Sequence, residues 1–149
     1  MDWTLELVVV PVTDVDRAKA YYAEKLGFNV DVDHSSGENF RIVQLTPPGS
    51  ACSVTIMRTP FMQPGTLHGL HLVVPDIEAA RAELVGRGAD VSDYYHFGAE
   101  GQTPGLDPDR RNYGSYATIT DPDGNTLLLQ EVNRARAEEE HPEKVEAGA

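Results

Sequence analysis

With 149 residues, 40% of them apolar and 24% charged, the chain is long enough for one compact domain, or for two small modules sharing a core. A formal net charge of −12 argues against nucleic acid and anionic membrane surfaces as partners, because both are held by basic patches. No stretch approaches the apolar length of a spanning helix, and Met1-Asp2-Trp3-Thr4 lacks the features of a signal peptide. The single cysteine, Cys52, excludes an intrachain disulfide and reads as a small core residue, so a cytoplasmic protein is expected.

Residues 5–12 form an apolar strand that leads to Asp14. Asp is a good helix N-cap, and Asp16 two positions later suits the positive end of the helix dipole. A helix over 15–26 follows, with Val15, Ala18, Tyr22 and Leu26 at helical spacing and Gly27 as its stop. Strands over 29–34 and 40–46 flank a small polar turn, and Thr46-Pro47-Pro48-Gly49-Ser50 turns into a third strand over 51–56. A connector bearing Pro and Gly precedes a second apolar strand over 67–74 and a helix over 77–87, capped by Asp76 and ended by Gly88. Beyond a strand over 91–97, residues 98–112 read as one long loop, a candidate lid. Residues 113–120 return to the sheet, and Asp121-Pro122-Asp123-Gly124-Asn125 is a tight turn into a last apolar strand over 126–132. The segment 134–149 reads as a frayed helix running into a disordered tail.

These elements repeat. Residues Leu7–Ala18 echo Gly69–Ala80, with one residue more in the first copy and each strand ending at an Asp, and the turn at 46–50 echoes that at 121–125. The predicted organisation is a first βαβββ module over 1–57, a connector over 58–66, a second module over 67–133, and the tail. In its repeated unit, its helix phrases Asp14-Val15-Asp16-Arg17-Ala18 and Leu26-Gly27-Phe28, and its Asp121–Asn125 turn, the chain resembles the vicinal oxygen chelate superfamily. That is the glyoxalase/bleomycin-resistance/extradiol-dioxygenase group. The resemblance implies an α+β fold in which two βαβββ modules curve mixed sheets around a cavity, and it implies a homodimer.

The same resemblance implies where a divalent metal would sit: seven residues before each helix-capping Asp, and three residues after the Asn of the turn. In this chain those positions are Leu7, Gly69 and Leu128, with Ser53 as the counterpart of Leu128. Two leucines, a glycine and a serine do not supply the donors a divalent ion needs, so the usual metal is expected to be absent, with a non-standard site left open.

Strand alternation places Val9, Thr55, His71 and Gln130 one layer further along the same face. Three of these four are polar on otherwise apolar strands, which is what a ligand cavity requires. His71 is the candidate general acid or base, because imidazole titrates near neutrality. His96, within the aromatic cluster Tyr94-Tyr95-His96-Phe97, joins Tyr113 and Tyr116 as candidate ligand contacts, although core packing explains that cluster equally well. Arg110 and Arg111 read as solvated loop residues. Two functions stay open: a metal-independent protein binding a small organic molecule, and a lyase- or isomerase-type enzyme using His71 or a non-standard metal site.

Overall fold

The computed structural model describes residues 1–133, and the tail expected over 134–149 lies outside the described residues. Two compact units are present. The first comprises Met1–His68, Arg87–Asp90 and Thr120–Thr126; the second comprises Gly69–Gly86, Val91–Ile119 and, of the described residues, 127–133. The architecture is the α+β arrangement expected, two mixed sheets with few helices.

In the first unit, β1 (Leu7–Pro11), β2 (Asn29–Ser36), β3 (Phe40–Thr46) and β4 (Ser53–Met57) lie in the order β1-β4-β3-β2. The β1–β4 pair is parallel and the other two are antiparallel. Parallel neighbours need a crossover, and α1 (Val15–Ala20) begins it, packed against β3 and β4. Asp14 caps this helix, its carboxylate accepting the Arg17 N–H at 3.1 Å. Val10, Val12, Ala18, Tyr22, Val43, Leu45 and Ile56 form the core on the helix side of the sheet.

The helix expected to continue to Leu26 changes its winding. A π turn runs over Tyr21–Lys25, with the Leu26 N–H bonded to the Tyr21 carbonyl at 3.1 Å. Widening the turn reduces the angle between successive side chains, so two consecutive tyrosines reach the same segment. The Tyr21 hydroxyl donates to the Thr120 carbonyl at 2.8 Å, and the buried Tyr22 hydroxyl donates to Asp121 Oδ2 at 2.9 Å. Burial pushes the Tyr22 phenol far above its ordinary range, and the nearby Asp121 carboxylate adds to the shift.

The 121–125 turn is a buried polar knot within this unit. Asp121 Oδ1 accepts the backbone N–H of Asp123 and of Asn125, each at 2.9 Å. Asn125 is 1% exposed. Its amide nitrogen donates to the Pro11 carbonyl at 2.9 Å and to Asp121 Oδ2 at 2.8 Å, while its oxygen accepts the Leu67 N–H at 3.0 Å. The connector meets the turn at Gly65, where φ is +79° and a Cβ would lie 2.1 Å from the Asp123 carbonyl oxygen. Only glycine fits there.

In the second unit, β5 (Leu70–Val74), α2 (Ile77–Gly86), β6 (Asp90–Val91), β7 (Tyr95–Gly98), β8 (Gly101–Pro104), β9 (Tyr116–Thr120) and β10 (Thr126–Glu131) follow in turn. The sheet order is β5-β10-β9-β7-β8, with β6 against β9 and with β5 parallel to β10. The strand expected over 91–97 is split, because the Ser92 N–H and carbonyl are engaged by Thr118 and Arg81. The loop expected over 98–112 is partly strand. β8 pairs antiparallel with β7 from Gly98↔Gly101 to Tyr95↔Pro104, and Gly101 at φ +97° closes the turn.

Replacing Asn125 with Ala strands the Pro11 carbonyl and the Leu67 N–H, at about 1–3 kcal/mol for each buried group left unpaired. Urea denaturation of Asn125→Ala is therefore expected to show a loss of roughly 2–5 kcal/mol. A loss within about 0.5 kcal/mol, the range of an ordinary surface change, would show that water replaces the side chain there.

Candidate functional site

The β5–β10 ladder sets the geometry in the second unit. Its register pairs His71 with Leu128 and Val73 with Gln130, so all four share one face of the sheet. Leu127 and Leu129 point the other way, into the core. His71 Nδ1 lies 2.9 Å from Gln130 Oε1. Gln130 is 6% exposed, and its amide nitrogen donates to the Tyr113 carbonyl and to the Tyr116 hydroxyl, each at 3.1 Å.

An aromatic surface adjoins this pair. The Tyr95 and Tyr116 rings stack at 5.5 Å and 10°, and Phe97 meets both edge-on at 6.0 and 5.4 Å. His71 completes the group, edge-on to Tyr116 at 6.4 Å. Phe97 is 55% exposed, so the cluster is open to solvent and not sealed in the core. A flat apolar surface beside convergent polar atoms is able to stack a planar molecule and hydrogen-bond its edge.

Residues 105–115 are anchored by charge. Asp107, 1% exposed, accepts the Arg111 N–H at 2.7 Å and its guanidinium at 2.9 and 3.0 Å, and the Ser115 hydroxyl accepts the Asp107 N–H. Arg110 grips Glu131 with two bonds of 2.9 and 2.6 Å and reaches Glu78 at 2.9 Å. Glu131 in turn accepts the Ile77 N–H at 3.0 Å at the start of α2. Solvated loop arginines are expected here, and Arg111 is indeed mostly exposed, but each guanidinium also answers a buried carboxylate. The anchoring also holds Arg110 and Tyr113 at φ +50° and +66°, and the Tyr113 N–H bonds the Glu131 carbonyl at 2.9 Å.

His71, Gln130, Tyr113 and Tyr116 thus come together within one unit. His96 does not join them. Alternation along β7 turns it away from Tyr95 and Phe97, and its Nδ1 donates to the Gly105 carbonyl at 2.8 Å. Tyr95 and Phe97 take the place His96 was expected to fill, and the one-residue offset in the cluster 94–97 was the signal for them. Val9 and Thr55 pair across β1 and β4 in the first unit. Thr55 is buried, and its hydroxyl has no hydrogen-bond partner among the described residues. Beside it, Ser53 Oγ bonds Thr46 Oγ1 at 2.7 Å and accepts from Gln44 at 3.3 Å.

The ladders also correct one equivalence. Leu7 lies opposite Ser53, and His71, not Gly69, lies opposite Leu128. The counterpart of Leu7 in the second unit is therefore His71, because the first copy carries extra chain, Val12-Thr13, between its strand and its capping Asp. Even so, Leu7, Leu128 and an already engaged Ser53 leave His71 as the one strong donor of the set. These residues do not fit the divalent ion of the related chelate enzymes.

Residues 4–129 match the family model described as the Glyoxalase/Bleomycin resistance protein/Dioxygenase superfamily. Among solved structures, TnmS3, an antibiotic binding protein from Streptomyces sp. CB03234, is 32% identical, with a TM-score of 0.70 over 88% of this chain and 97% of its own. A glyoxalase/bleomycin resistance protein from the same Streptomyces is 34% identical, with a TM-score of 0.65 over 85% and 99%. The uncharacterized protein YetH of Bacillus subtilis (strain 168) is 26% identical over 128 residues, covering 83% of this chain and 94% of its own.

The Arg111 guanidinium holds the Asp107 carboxyl down to about 2. An aspartate in the unfolded chain titrates near about 3.9, so the unfolded state takes up its proton first as pH falls. The stability due to this pair is therefore fully present above about pH 4 and is lost from about 4 down to 2. Urea titrations across that window are expected to show a steeper loss of stability for the parent chain than for Asp107→Asn. Equal slopes would remove Asp107 as the titrating group.

Proposed function

The chain belongs to the glyoxalase/bleomycin resistance protein/dioxygenase superfamily, and we propose that it binds a small, planar, largely apolar organic molecule without the metal of the chelate enzymes. The observation that carries this reading is the exposed aromatic surface of Tyr116 and Phe97 beside His71, whose orientation a buried amide controls. A residue that only filled a core would not need Gln130 to hold it, and an aromatic cluster that only packed would not leave Phe97 open. The likeness to TnmS3, an antibiotic binding protein, supports the same class of ligand. An enzyme of lyase or isomerase type is the second reading, favoured by one feature: the histidine is oriented by a neighbour, as a general base is.

We further propose a cytoplasmic homodimer. Among the described residues no helix is long and apolar enough to cross a membrane. Trp3 is 88% exposed, Leu5 is exposed with it, and both precede β1, an outer strand of its sheet. A second copy would cover this apolar edge. Light scattering at micromolar concentration is expected to give a dimer, and Trp3→Ser with Leu5→Ser a monomer. A monomeric parent chain would end this part of the proposal.

Calorimetric titration with a panel of planar aromatic antibiotics tests the binding function. For a compound that binds, His71→Ala is expected to weaken affinity roughly ten- to a hundredfold, the cost of about 1–3 kcal/mol for a ligand polar group left unpaired against the protein. Tyr116→Leu, by removing the stacking ring, is expected to weaken it about three- to tenfold. Melting temperature is the control for folding. A compound that binds the parent and both variants equally would place the ligand elsewhere. Turnover of a bound compound that stops in His71→Ala would favour the enzyme.

A further inference from the structure

We infer that His71 is locked in the tautomer with its proton on Nδ1, so that its Nε2 offers the ligand a hydrogen-bond acceptor and selects molecules that carry a donor. The inference begins at a backbone carbonyl. The Tyr113 carbonyl oxygen is able only to accept, so the end of the Gln130 amide facing it at 3.1 Å must be the nitrogen. The Tyr116 hydroxyl, also 3.1 Å from that nitrogen, occupies the second N–H. Gln130 Oε1 is thereby turned to His71, and a carbonyl oxygen 2.9 Å from Nδ1 requires a proton on Nδ1. In the neutral ring the other nitrogen then carries the lone pair. His71 is exposed, and Nε2 has no hydrogen-bond partner among the described residues.

The amide has little freedom to reverse. Gln130 is buried, and a flip would set its oxygen against the Tyr113 carbonyl, two acceptors facing each other. The Tyr113 carbonyl is itself held, because the Tyr113 N–H bonds Glu131 and Arg110 clamps the Glu131 carboxylate. The line from Arg110 through Tyr113 and Gln130 to His71 makes Gln130 a positioning residue. The ligand class follows, resting on the binding function proposed above. A planar apolar molecule with a phenolic O–H or ring N–H at its edge matches an aromatic surface bordered by an acceptor, and an ether at the same place does not.

Nitrogen NMR of the full chain labelled in histidine, at alkaline pH where imidazole is neutral, reads the tautomer directly. The His71 signals are identified by their loss in His71→Asn. The expected result is a protonated Nδ1 and a bare Nε2 in the parent chain, with that preference lost in Gln130→Leu. A protonated Nε2 in the parent would overturn the inference whether or not the variant folds. Naphthol and its methyl ether test the selectivity. Naphthol is expected to bind at least about tenfold more tightly and to shift the Nε2 resonance, the ordinary worth of one hydrogen bond to a held partner. Equal binding of the two would overturn the donor requirement. Binding of neither, with Nδ1 protonated, would count against the binding function and its ligand class while the tautomer stands.

Discussion

The carboxylate of Asp121 and the amide of Asn125 are the constraint on which the first unit depends. Between them they satisfy the Tyr22 hydroxyl, the Pro11 carbonyl, the Leu67 N–H and two N–H groups of their own turn, all close to or inside the core. Each of those groups would cost free energy if buried unpaired, and Pro11, Tyr22 and Leu67 all lie far in sequence from the turn. The rest of the local structure accommodates this knot. The helix after Asp14 widens so that two tyrosines reach residues 120 and 121, and Gly65 gives up a side chain so that the connector lies against Asp123. Such a network is robust when complete and costly when one member is missing.

A second network does for the second unit what the first does for its own. There the satisfied groups are charges. Glu131 and Asp107 are nearly inaccessible to water, and each is answered by an arginine from the same short segment. Ion pairs with one buried and one part-exposed partner are modest sources of net stability, because desolvation of the carboxylate offsets much of the attraction. Their value is positional. They fix a loop that contains two residues in the left-handed region, and through the Tyr113 carbonyl that loop fixes an amide and then an imidazole. The ion pairs of residues 110–111 are thus linked to His71 through the Tyr113 carbonyl and the Gln130 amide.

The chemistry available in the second unit follows from the groups gathered on one face of its sheet, an imidazole, a buried amide and stacked rings. An imidazole held by an amide beside stacked aromatics is suited to hydrogen bonding and to proton transfer. Membership in the superfamily therefore says more about the fold than about the reaction, since the same scaffold serves many chemistries through its site residues.

The sequence by itself determined the elements and their repetition. Capping aspartates, stopping glycines, alternating apolar strands and two Pro-Gly turns are local signals, each acting over a few residues, and they were legible as such. Alternation also placed His71 and Gln130 on one face, because both lie on strands with a period of two. Tertiary structure alone decided the rest, where pairing runs across long separations. The partners of Arg110 and Arg111 depend on which carboxylates the fold buries, and the π turn depends on where residues 120 and 121 arrive. The equivalence of His71 with Leu7 is read from the two ladders, because extra chain before Asp14 shifts any counting from the cap. Likewise, alternation sets His96 apart from Tyr95 and Phe97 but does not say which of the two sides faces the site. Only the pairing of β7 with β9 sets which side of that strand meets Tyr116.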